Sequence, residues 1–278
     1  MYPQVLTWST NRQVIRQLRR DGARVASCYT AAMITERFDI GDIPCKEFMP
    51  DDGIVALAVL AVHGFAGDKE SSVIAALAEE LCAKEHAAVY CFDFPAHGAH
   101  PSDELFVSAC ADALESVAQF VSCRHADARH AVFATSFGGY MALRCLDRLS
   151  RALGEFSLVL RAPAIKMAQT LEGILGEEGL AQIEREGFVE AGFERKLLVR
   201  KGFLEELKEF DACRAYNRPM LVIHGDRDDV VLPADIACFM EMNPLAKLVR
   251  IHGADHRFKG EGQVAAVVDA ARRFFAAS

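Results

Sequence analysis

No two of the nine cysteines in this sequence form a C-x-x-C pair, and no H-x-x-x-H or carboxylate spacing gives a convincing set of metal ligands. Neither a metal nor a cofactor is expected. The odd cysteine count, with most thiols inside apolar runs such as "AVYCF" and "ALRCL", predicts reduced, buried thiols in a cytoplasmic protein. Positive charge is scarce too: 31 Lys and Arg against 39 Asp and Glu give a formal charge of −8, with the basic residues scattered. Such a chain offers no electrostatic footprint for a phosphate backbone, so nucleic acid is not an expected partner. No stretch reaches 18 uninterrupted apolar residues, and the opening "MYPQVLTWSTNRQ" has no basic start leading into an apolar region. Neither a membrane span nor a secretion signal is predicted. Internal repeats and low-complexity tracts are missing as well.

What is present is apolar bulk with a regular rhythm. Apolar residues make up 51% of the 278 positions, enough for one large α/β domain with an insertion or for two small domains. Residues 12–20, "RQVIRQLRR", read as a short basic helix ending at Asp21-Gly22. "MITERFDI" and "IPCKEFM" flank Gly41-Asp42, the spacer of a tight antiparallel hairpin. Strand-length apolar runs then alternate with helical stretches: "IVALAVLAVHG", a helix from about Ser71, "AAVYCFDF", a helix from about Asp103, "RHAVFAT", a helix from about Phe137, and "FSLVLRAPA". This alternation predicts βαβ units and a mostly parallel sheet covered on both faces.

The rhythm breaks after Pro163. Residues 164–216 are richer in charge and glycine and contain no buried-strand run. They read as a cap inserted between two parts of the sheet domain, residues 1–163 and 217–278. The pattern resumes with "PMLVIHG", a helix near Pro233, "LAKLVRIHG" and a closing helix over "GQVAAVVDAARRFFAA".

Functional groups in such a sheet gather beyond the carboxyl ends of its strands, and five polar clusters fall there. In "FATSFGG", residues 133–139, a strand must reverse into a helix within a few residues at Ser136. That reversal crowds the backbone and forces the apex toward a strained conformation, so the positions two before and two after it must be small. Ala134 and Gly138 meet that need, although alanine stands where glycine is usual, and Thr135-Ser136 also suits a polar turn before a helix cap. In "HGFAG", residues 63–67, glycines turn backbone N–H groups toward a ligand. The amides of Phe65 and Phe137 are therefore candidates for an oxyanion hole. "HGDRDDVVLP" offers Asp226, Asp228 and Asp229, and "HGADHRF" offers His252 and His256. Serine, aspartate and histidine in that order would give a nucleophile, a carboxylate that orients the imidazole, and a base. His63 and His224 precede glycines at strand ends, where a structural hydrogen bond is the expected role.

With "DFPAHGAHPSD", residues 93–103, as the fifth cluster, the chain resembles the α/β-hydrolases, and within them the cinnamoyl or feruloyl esterase branch and its monoacylglycerol-lipase-like relatives. The resemblance covers most of residues 45–278 and is weak in the cap. It implies an α/β-hydrolase fold with an inserted cap, Ser136 as nucleophile, Asp228 as acid, His256 as base, and Phe65 and Phe137 as oxyanion donors. Asp93, His97 and Gly98 would belong to a structural loop beside the pocket. The implied activity is hydrolysis of small or aromatic carboxylic esters, with a small-molecule ester as partner and a homodimer left open. In the cap, Met167, Leu171, Ile174, Leu175, Phe188, Phe193, Leu197 and Phe203 are candidates to roof the pocket. Glu172, Glu177, Glu178 and Glu190 keep a prolyl aminopeptidase-like reading open, since a carboxylate would be needed to hold a substrate amine. A thioesterase and a non-enzymatic receptor on the same fold remain further alternatives.

Overall fold

The protein is described by a computed structural model covering residues 33–192 and 195–278. The helix expected over residues 12–20 and the roof candidate Phe193 lie outside the described residues. The expected hairpin joins β1 (Met33–Ile40) and β2 (Ile43–Pro50) with Ile40 opposite Ile43. Gly41 supplies the positive φ of 63° that this two-residue turn requires.

Beyond the hairpin come β3 (Leu57–Val62), β4 (Ala87–Phe92), β5 (Arg129–Thr135), β6 (Phe156–Arg161), β9 (Met220–Gly225) and β10 (Ala246–Ile251). They form one eight-stranded sheet in the order β1-β2-β4-β3-β5-β6-β9-β10, in which β2 runs antiparallel to β4 and every later pairing is parallel. The central strands are buried on both faces, and the alternation of side chains sorts them into two cores. In β3, Ala58, Leu60 and Val62 enter one core while Leu57, Val59 and Ala61 enter the other. One core is closed by α1 (Ser72–Glu85) and α8 (Gln263–Ala276). The other is closed by α2 (Val107–Arg124), α3 (Phe137–Arg144) and α4 (Leu146–Leu153). The last connection, from β9 to β10, runs through α7 (Pro233–Met242).

Between β6 and β9 the chain forms α5 (Met167–Glu186), broken by a non-helical Gly176, and α6 (Lys201–Lys208). It also forms a two-stranded antiparallel sheet of β7 (Phe188–Ala191) and β8 (Leu197–Arg200), whose strands are not the buried runs that mark the main sheet. Each strand has four residues and only alternate ones are buried, so neither produces an apolar run. One expectation is corrected: α2 begins at Val107 rather than near Asp103. Its first-turn donors are received by a residue of α6: the Glu206 carboxylate accepts from Val107 N–H, from Ser108 N–H at 3.1 Å and from Ser108 Oγ–H at 2.7 Å.

Candidate active site

Ser136 sits between β5 and α3 with φ 52° and ψ −115°, a conformation that side-chain-bearing residues rarely hold unless their surroundings impose it. Here the surroundings do. Its N–H donates to the Arg161 carbonyl at 2.9 Å, and its carbonyl accepts from Tyr140 N–H and Ala164 N–H, each at 3.1 Å. The crowding falls on the helix side of the turn. A methyl added at Gly138 would lie 2.5 Å from the His63 carbonyl oxygen, and one at Gly139 would lie 2.8 Å from Pro163 Cβ. On the strand side Ala134 keeps its methyl while buried in the core. The alanine at the position where glycine is usual is thus accommodated.

Ser136 Oγ lies 2.9 Å from His256 Nε2, and His256 Nδ1 lies 2.8 Å from Asp228 Oδ2. A carboxylate can only accept, so Nδ1–H donates to Asp228 and Nε2 is left to accept from the serine hydroxyl. Asp228 is buried, and its other oxygen accepts from Val230 N–H at 2.9 Å and Val231 N–H at 2.8 Å. These bonds hold the carboxylate in one orientation. The competing residues form a separate pair: the exposed Asp226 accepts from His252 Nδ1–H at 2.7 Å and from Gly253 N–H at 2.6 Å. Asp229 is exposed.

His63 and His224 are buried and held to backbone groups. His63 accepts from Phe94 N–H at 3.2 Å, and His224 donates to the Val231 carbonyl at 3.1 Å. Burial pulls both below the ordinary imidazole range, which keeps them neutral. His97 is more extreme, lowered to about 3 by burial, and it stacks on the Phe137 ring.

Phe137 opens α3, so its N–H is among the donors that a helix start leaves without an intrahelical acceptor. Phe65 lies in the turn closed by Gly67 N–H to the Gly64 carbonyl, where Ala66 takes a φ of 57°. The Phe65 and Phe137 rings meet edge to face, with centroids 6.3 Å apart. A cavity of about 590 Å³ opens here, bounded by Phe65, Ser136 and His256. Of the roof candidates, Met167 and Ile174 line it, whereas Leu171, Leu197 and Phe203 are buried in the core. Lining residues that were not singled out from the sequence include Thr170, Arg161 and Arg195. Arg161 did leave a signal, as a charged residue ending the otherwise apolar run "FSLVLR". A second cavity, about 850 Å³, lies at the opposite ends of the strands around His130, Phe156 and Pro219 and contains none of the predicted site residues. Among the described residues, no three His, Cys, Asp or Glu side chains converge as a metal site would need. Also among them, no helix is long and apolar enough to cross a membrane.

Several solved structures share this fold. Est1E from Butyrivibrio proteoclasticus with ferulic acid bound is 19% identical, aligns over 87% of this chain and 100% of its own, and gives a TM-score of 0.72. A second structure of Est1E gives 0.70 at 19% identity over 87% of this chain and 98% of its own. Alpha/beta hydrolase domain-containing protein 10 from mouse gives 0.63 at 15% identity over 87% and 98%. No curated protein matches the sequence. Residues 59–271 match the family described as the Alpha/beta hydrolase family, and since that span is most of the chain, the protein belongs to it.

Proposed function

We propose that this hydrolase is a serine esterase that cleaves small carboxylic esters through an acyl-enzyme. The observation that carries the reading is the unbroken hydrogen-bonded chain from Ser136 Oγ through His256 to the buried Asp228. Ser136 Oγ attacks the ester carbonyl while His256 Nε2 takes its proton. The N–H groups of Phe65 and Phe137 receive the developing oxyanion. His256 then returns the proton to the leaving alcohol. Water, activated by the same imidazole, releases the acid and restores the serine. Asp228 fixes the tautomer and stabilises the imidazolium. Residues 164–216 act as a cap, with Met167 and Ile174 contributing its apolar contact.

The aminopeptidase reading is less well supported. It needs an unengaged carboxylate facing the substrate amine, yet none of Glu172, Glu177, Glu178 and Glu190 lines the cavity. Glu172 is paired with Lys208 at 2.8 Å.

The test is the initial rate on short p-nitrophenyl esters for the wild type and Ser136→Ala side by side. Turnover by the wild type, with loss of about 10³-fold or more in the variant, is the expected result. Equal rates, or none in either protein, would remove Ser136 as an ester nucleophile.

A further inference from the structure

We propose that the cavity over Ser136 takes esters bearing a second group, an anionic carboxylate, and that Arg161 binds it. The inference rests on the serine-esterase reading for its chemistry and on Arg161 for the substrate class.

Arg161 is the last residue of β6, in register with Thr135, and its carbonyl accepts the Ser136 N–H. Its side chain is only 6% exposed and borders the same cavity as Ser136 and His256. Nη2 donates to the Arg257 carbonyl at 3.1 Å, and the guanidinium lies over the Phe258 ring at 4.4 Å. The buried Nε has no hydrogen-bond partner. Among the described residues, no carboxylate lies within ion-pair distance of Arg161, and Asp228 and Asp255 act on it only from further away.

Such a group is costly to keep. The desolvation penalty of an uncompensated buried cation exceeds what stacking over one ring returns. Anchoring the Arg257 carbonyl would need only a neutral donor, so the anchor alone does not account for the charge. Burial lowers the guanidinium to about 10, which leaves it cationic at neutral pH. The two acids bordering the cavity are already answered. Glu70 meets Arg37 at 3.0 Å and Lys46 at 2.6 Å, and Asp68 meets Arg195 at 3.1 Å. A fork of N–H donors with spare capacity, beside the serine and out of water, fits a carboxylate brought by the substrate.

The experiment compares isosteric esters that differ by one charge: monomethyl glutarate against methyl 5-methylhexanoate, with the carboxylate on the acyl side, and 4-acetoxybutanoate against 4-methylpentyl acetate, with it on the alcohol side. The wild type should prefer the anionic member of at least one pair by about tenfold or more in kcat/KM. In Arg161→Gln that preference should collapse toward one, mainly through KM of the anionic ester. A residue that merely held the His256 loop would instead lower kcat for both members alike, and that result overturns the proposal. So does equal use of both members by the wild type.

Binding of glutarate to Ser136→Ala, measured by calorimetry, tests the carboxylate site without any chemistry and without a change at position 161. Binding that outcompetes inorganic phosphate supports a carboxylate site, while no binding, or tighter binding of phosphate, overturns it. Failure of the esterase reading is separate, since it appears as no Ser136-dependent turnover of any of the four esters.

Discussion

Lys69 Nζ meets Asp93 Oδ2 at 2.5 Å in the protein interior. The aspartate also accepts from Lys69 N–H at 2.8 Å and Ala99 N–H at 2.7 Å, so it ties the end of β4 to the loop after β3 that carries Phe65. Removing one partner strands the other as an unpaired buried charge. Asp93→Asn should therefore cost about 3–5 kcal/mol of stability in urea unfolding. A loss below about 1 kcal/mol would mean that the pair is not sealed from water.

The turn at Ser136 makes opposite demands on its two sides. In Gly138→Ala the new methyl would face the backbone oxygens of His63 and Val62 at 2.5 and 2.8 Å, which cannot swing aside. We expect ester turnover to fall by about 100-fold, with about 2–4 kcal/mol lost in stability. Ala134→Gly should keep the site and cost only about 1 kcal/mol. Equal damage from both substitutions would contradict this asymmetry.

The three aspartates of the β9 loop separate cleanly by substitution. Asp228→Asn preserves the shape but can no longer hold His256 in the required tautomer, so kcat should fall by roughly 10³–10⁴-fold. Asp226→Asn and Asp229→Asn alter exposed groups outside the Ser136–His256–Asp228 hydrogen-bonded chain and should stay within about twofold of wild type. A large loss with Asp229→Asn would move the acid by one position.

Acid should destabilise the protein through its buried imidazoles. His97 is lowered from 6.5 to about 3 by burial, so as pH falls the unfolded chain takes up the proton first. The resulting stability is complete above about pH 6.5 and is lost between there and about pH 3, at about 1.4 kcal/mol per unit. His63 and His224 act in the same direction. Thermal unfolding followed from pH 7 to pH 4 should show a shallower slope, by about one proton, in His97→Gln. Identical slopes would rule His97 out as a contributor.

Glu206→Ala leaves the first turn of α2 without its acceptor and should lower stability by about 1–2 kcal/mol, measurable in urea. The loss should persist in high salt, because two of the three bonds are to backbone N–H groups.

Much of the fold was legible because the strands are buried on both faces and announce themselves as apolar runs. The residues now found together at Ser136 were each readable from local chemistry: a small residue after the serine, an acidic loop, and a histidine in the last loop. Glu206 was not, because an acceptor 99 positions from the N–H it caps leaves no trace in local pattern. The β7–β8 hairpin left no apolar run because each strand has four residues and buries only alternate ones. Arg161 was visible as an anomaly in an apolar run, but its unanswered charge appears only once its neighbours are known.

Ser136 and His256 are separated by 120 positions, and the loop carrying the histidine follows β10, whose partner is β9. During synthesis the serine turn can be complete long before the imidazole has left the ribosome. Until the last parallel pairing closes, a slow, non-local event, the emerging chain carries a hydroxyl with no base beside it. The contact between Ser136 and His256 thus forms only after β10 has paired with β9 and the loop that follows it has folded back over the serine turn.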